Sequence, residues 1–136
     1  MRVRVARMMG ALALSAGLLA GSVGCVWGGD RKVSQQTALQ ENIALQRKSA
    51  LTFRDEWQPN VEKIRFTREG DVPGLGASWS VNAIATIGGV DYQVIIDERF
   101  GPAWVGDEGR PPDLPAPPSR LPLTLIFSDG TSEVIK

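Results

Sequence analysis

Histidine is absent from all 136 residues, and cysteine occurs once, at position 25. Without histidine there is no Ser-His-Asp or Cys-His arrangement, no imidazole ligand for zinc, and no side chain whose ordinary pKa lies near neutrality. A single cysteine permits no disulfide within the chain, so the fold must be held by packing and regular secondary structure. Charge of one sign is missing too: fifteen Lys and Arg stand against fifteen Asp and Glu. A nucleic-acid partner would call for a basic patch, and none is apparent. Nor is there a long apolar run. The stretch over residues 8–24 is shorter than the roughly 20 residues that cross a bilayer as a helix, and Gly10, Gly17, Gly21 and Gly24 loosen it.

That stretch has another meaning. Arg2, Arg4 and Arg7 precede it as a positive segment and small residues end it, the layout of a secretory signal. Gly21-Ser22-Val23-Gly24-Cys25 then resembles a bacterial lipobox, in which the cysteine thiol accepts a diacylglyceryl group and signal peptidase cuts in front of it. Val23 and Gly24 fit a narrow protease site, whereas Ser22 stands where leucine is more usual. The expected organisation is a signal peptide over 1–24, cleavage between Gly24 and Cys25, a lipidated Cys25 with a short tether over 25–32, and one domain over 33–136. An uncleaved N-terminal anchor, and ordinary secretory cleavage leaving a free thiol, are the competing readings. Three of the fifteen basic residues lie in the leader, so the mature chain is mildly acidic. About 110 residues remain, enough for one domain with a modest core.

Gly28 and Gly29 mark the tether, and Ser34 is a candidate N-cap for a helix that runs to about Gln58 without Gly or Pro. Leu39, Ile43, Ala50, Phe53 and Trp57 share a narrow arc at about 100° per residue, while Gln40, Glu41, Gln46, Arg47, Lys48 and Glu56 fall largely elsewhere. The arc is expected to face a core. A membrane-surface or partner-binding helix is the alternative, but the polar face is mixed in charge rather than basic. Pro59 ends the helix.

Beyond it the period drops to two. Residues 61–67 put Ile64 and Phe66 on one face, and residues 78–87 alternate Trp79, Val81, Ala83, Ala85 and Ile87 against polar positions. Between them, residues 70–76 form a glycine-rich loop without the Lys-Ser/Thr ending of a phosphate loop. Gly88-Gly89 suits a two-residue type I′ turn. That turn predicts Ile87 opposite Val90, Ala85 opposite Tyr92, Ala83 opposite Val94 and Val81 opposite Ile96. The small alanines leave room for the helix to pack on this face. A second hairpin is expected over 123–135 around Asp129-Gly130, with Leu123, Leu125, Phe127 and Val134 on one face and Ile126 opposite Glu133.

Seven of the nine prolines lie in residues 100–122, so this segment is expected to be a long surface crossover with extended backbone and not a central strand or helix. Trp104 within it either pins the loop to the sheet or serves recognition. As the connection the fold needs least, the loop supplies the candidate partner contact: Trp104, Asp107, Glu108 and Arg110.

Elsewhere the chemistry is sparse. Asp91, Asp97 and Glu98 place carboxylates on or near one strand, where charge serves solubility, and nothing marks the buried acid that a glycosidase pair requires. No catalytic residue, metal ligand, cofactor or small-molecule substrate is indicated. The leader and Cys25 resemble those of small bacterial lipoproteins. The Ala, Gly, Arg, Val and Pro bias, with Trp79-Ser80-Val81-Asn82-Ala83 and Ser128-Asp129-Gly130-Thr131, is similar to lipoproteins of mycobacteria and related actinobacteria or of their prophages. That resemblance implies extracytoplasmic anchoring at the cell membrane and no known catalytic residues. The expectation is an α+β domain, one amphipathic helix on an antiparallel sheet of about five strands, held on the outer side of the membrane by lipid. Its function would be a non-enzymatic binding or accessory protein that meets an envelope protein. The alternative is an inhibitor or superinfection-exclusion lipoprotein that binds an incoming phage component or an envelope hydrolase.

Overall fold

A computed structural model describes residues 26–136, with side chains from residue 32 onward. The signal peptide over 1–24, the cleavage point at Gly24 and the lipidation site Cys25 lie outside the described residues. The chain divides into two compact units at Gln35. In the first, the described residues are helical, and those with described side chains are exposed. Everything below concerns the second, Gln36–Lys136.

The main helix, α1, spans Val26–Thr52 and runs directly into a π-helical turn, Phe53–Trp57. It starts earlier than the sequence suggests: residues 26–32 are helical, not an irregular tether, and Ser34 lies inside the helix. Extending an existing helix avoids the nucleation cost, so two glycines at its start are tolerated. The π turn closes with the Gln58 N–H donating to the Phe53 carbonyl at 2.8 Å, a span of five residues, and Pro59 then ends the helical path.

Six strands follow: β1 Val61–Phe66, β2 Ser80–Ile87, β3 Val90–Asp97, β4 Gly101–Trp104, β5 Leu123–Ile126 and β6 Ser132–Ile135. They form one sheet in the order β4-β3-β2-β1-β5-β6. The α+β architecture holds, with one strand more than expected and one parallel pair, β1 with β5, in an otherwise antiparallel sheet.

The β2–β3 hairpin has the predicted register at all four apolar pairs. Gly88 and Gly89 both have positive φ, 59° and 77°, which matches the strand twist as a type I′ turn requires. In β1 the register shifts between Val61 and Lys63. This bulge puts Val61 and Ile64, three apart, both into the core.

The β5–β6 hairpin departs from its expected register. Leu125 faces Glu133, Ile126 faces Ser132, and Val134 faces Thr124, so Val134 is on the open face and exposed. The loop is one residue longer than assumed. The Gly130 N–H donates to the Phe127 carbonyl at 2.9 Å and the Phe127 N–H to the Thr131 carbonyl at 2.8 Å, while Gly130 has φ 86°. This is a three-residue loop with a glycine bulge, and moving a strand by one position exchanges its two faces.

The proline-rich segment also differs from expectation, since its first residues, Gly101–Trp104, form the edge strand β4. The Val105 N–H donates to the Gln93 carbonyl at 3.1 Å. Counting back in twos, Ala103 and Gly101 point their backbone groups at β3, so the nitrogen of Pro102 faces the open edge, the place in a sheet where proline is tolerated. The rest of the segment crosses the end of the sheet where β1 starts. There the Asn60 Nδ2 donates to the Pro115 carbonyl at 3.0 Å. Because the crossover stays at that end, β5 sets out alongside β1 and parallel to it.

The core lies between α1 and one sheet face: Ala50 and Phe53 from the helical segment meet Ile64, Val81, Ala85, Val94 and Leu125, among others. Leu39 and Ile43 are only partly buried. Gln46, expected on the solvent face, is wholly buried. Its Nε2 donates to Asn42 Oδ1 at 2.8 Å and to Ser128 Oγ at 2.7 Å, and its Oε1 accepts the Ser128 N–H at 3.1 Å. Asn42 in turn exchanges two hydrogen bonds with the Gly70 backbone, at 2.7 and 3.0 Å. Burial of these amides is thus compensated, and each bond ties the helix to a loop between strands.

Candidate functional site

The best-formed concavity is a cleft of about 320 Å³ between the helical segment and the β3–β4 turn. Lys48, Ser49, Thr52 and Phe53 reach it from one side because residues one, four and five apart share a helix face. The wider π turn then swings Trp57 away from the core stripe in which helical periodicity puts it. Trp57 is 49% exposed and its ring lies over the Gly101 backbone, where an added Cβ would stand 2.6 Å from the indole. Trp57 is therefore a wall of the cleft and not a core residue. Phe100, beside it in sequence to Gly101, is 78% exposed.

The opposite wall is a turn built on Asp97. Its carboxylate accepts the Ser78 hydroxyl at 2.7 Å, the Arg99 N–H at 2.7 Å and the Phe100 N–H at 3.0 Å. Burial by itself would raise the Asp97 carboxyl. These three donors and the Arg99 charge outweigh it and hold the group below the usual carboxylate range. A carboxylate so saturated is a weak base, and its work here is to shape the turn. Across the mouth, Lys48 Nζ pairs with Glu98 Oε1 at 3.5 Å, both partly exposed. The cleft thus has apolar walls from Phe53, Ile96, Pro102 and Trp57 and a rim of both charges. Such an arrangement suits an apolar or aromatic group flanked by polar backbone, as an extended protein segment presents.

Trp104, Asp107, Glu108 and Arg110 do not form one surface. Trp104 is half-buried in β4, edge-on to Phe53 and to Tyr92 with ring centroids 6.0 Å apart in each case. Of the two roles open to it, it pins the segment. Asp107 and Glu108 stand exposed in a turn closed by the Gly109 N–H on the Gly106 carbonyl at 3.1 Å. Arg110 pairs with Asp113 at 3.4 Å, both exposed. The cleft was missed because its walls come from segments some 40 residues apart in sequence. The only local signal was Gly101, which leaves space for an aromatic ring.

Among the described residues no group of three or more His, Cys, Asp or Glu is placed to hold a metal ion, and no helix is long and apolar enough to cross a membrane. No protein-family model, curated protein or solved structure matches the chain.

Proposed function

We propose that the protein is a lipid-anchored, extracytoplasmic binding or accessory protein of the cell envelope, without enzymatic activity of its own. The observation that carries this reading is Gly21-Ser22-Val23-Gly24-Cys25 placed directly after a basic segment and an apolar run. A thioether-linked diacylglycerol there, with a further acyl chain such as palmitate, supplies the two-chain anchoring that makes membrane attachment durable. The cleft beside Trp57 supports the binding part: a half-exposed indole in a lined depression is the kind of anchor that dominates protein interfaces.

Cys25→Ser tests the anchor, because a hydroxyl cannot form the thioether. The wild type should incorporate labelled fatty acid and sediment with membranes. The serine variant should take up no label and either appear in the soluble fraction or persist as an unprocessed precursor. A serine variant of mature size that stays on membranes, with an unlabelled wild type, removes the lipoprotein reading. Photo-crosslinking from position 57 on intact cells then captures the partner, an envelope protein in this reading. Capture of an incoming phage component or an envelope hydrolase would favour the inhibitor or exclusion reading instead.

A further inference from the structure

On the other side of the π turn, Arg54 is 3% exposed, so that two successive residues, Phe53 and Arg54, are both buried. A regular helix turns neighbours about 100° apart. The π turn widens this and directs the guanidinium toward the end of the sheet where the proline crossover passes. Arg54 lines a cavity of about 310 Å³ there, with Asp55, Pro59, Pro117, Pro118 and Arg120. Its Nε donates to Asp55 Oδ1 at 2.9 Å, and Arg120 Nη2 donates to the same oxygen at 3.0 Å. Arg54 Nη1 is buried and has no hydrogen-bond partner among the described residues.

Two guanidinium groups therefore converge on one carboxylate oxygen, with most of their N–H donors uncommitted. A buried guanidinium with an unmade hydrogen bond is costly, and an acceptor that supplies it binds with charge assistance. The local charge, two cations against one anion, leaves a single positive surplus. That surplus matches a monoanion, whereas a dianionic phosphate would set excess negative charge against Asp55. The proline walls are apolar and stiff, so they can hold a short hydrocarbon substituent at little entropic cost.

We propose that this cavity binds a carboxylate carrying a short apolar group, with its oxygens on the Arg54 and Arg120 guanidinium groups. The site stands independently of the anchor and of the Trp57 cleft. Nη1 is closed off from solvent, so the ligand enters by displacing the exposed Arg120 side chain from Asp55, and the neighbouring Ser119 backbone reports the entry.

The test uses the full chain in a neutral maltoside detergent. NMR follows the arginine Nε–Hε resonances and the Ser119 amide while sodium butyrate, inorganic phosphate or sodium chloride is added at matched ionic strength. Butyrate should shift these signals saturably, with a midpoint in the millimolar range or tighter. Phosphate should bind at least about fivefold more weakly, since its second charge meets Asp55, and chloride should leave the signals unmoved. Arg120→Gln removes one exposed fork and should weaken butyrate about tenfold or more with the fold intact by circular dichroism. Asp55→Asn removes the competing carboxylate and should tighten it. The proposal is overturned if butyrate gives no saturable shift, if phosphate binds as well, or if the well-folded Arg120→Gln protein responds like the wild type.

Discussion

Trp104 meets two aromatic rings edge-on, Phe53 from the helical segment and Tyr92 from β3, whereas Trp57 rests on backbone with about half its surface in solvent. Truncating a large buried aromatic removes both transfer energy and contacts with its neighbours. Trp104→Ala should therefore destabilise the domain by about 3 kcal/mol, at the low end for aromatics because the ring is partly exposed. Trp57→Ala should cost about 1 kcal/mol, as for a surface-lying ring. Urea unfolding of the two variants measures this, and equal losses would mean that β4 is not docked as described. Asp97 supports a second prediction, on pH. Its folded pKa is held below the unfolded value by the donors around it. Its contribution is thus fully present above the unfolded pKa, near 3.9, and is lost as pH falls through the folded value. The stability difference between wild type and Asp97→Asn should accordingly be largest at neutral pH and shrink below about pH 4. A difference that stays constant into acid would show that the Asp97 hydrogen bonds contribute nothing through charge.

The helix meets the sheet through an apolar stripe, but its rotation and height are set by the Asn42 and Gln46 amides. Gln46 spans to Ser128, 82 residues on, and Asn42 to Gly70, 28 residues on, so one helix face is tied to two inter-strand loops. Arg47 with Glu133 adds an exposed pair at 3.0 Å, worth little because water screens it. Gln46→Ala should cost about 2 to 3 kcal/mol, since the Ser128 N–H is left buried without its acceptor. Gln46→Leu should not restore the loss, although it adds apolar volume, because the orphaned donor remains. Denaturant melts measure both, and faster amide exchange at Ser128 and Gly70 should accompany them. A leucine variant as stable as wild type would show that packing, not hydrogen bonding, positions the helix.

The two hairpins lie on either side of β1 and are joined across it by a crossover that never leaves one end of the sheet. This route makes β1 and β5 parallel, fills the sheet centre with apolar residues, and brings the proline walls beside Arg54. Local patterning foretold the first hairpin to the residue, because Gly88-Gly89 and the alternation on both sides act over neighbouring positions whose geometry is set within the turn itself. The helix with its end at Pro59, the α+β class and the leader motif were legible for the same reason: each depends on periodicity or on a short motif. Other features were settled by contacts between distant segments. The Val134 face depends on where a bulge falls, Trp57 and Trp104 exchange core and surface because of a π turn and an edge strand, and Gln46 is buried because Ser128 waits 82 residues away. The meeting of Arg54 and Arg120 on Asp55 likewise spans 65 residues. Periodicity carries which residues are apolar, but the pairing of polar groups across such separations arises only once the chain has closed on itself.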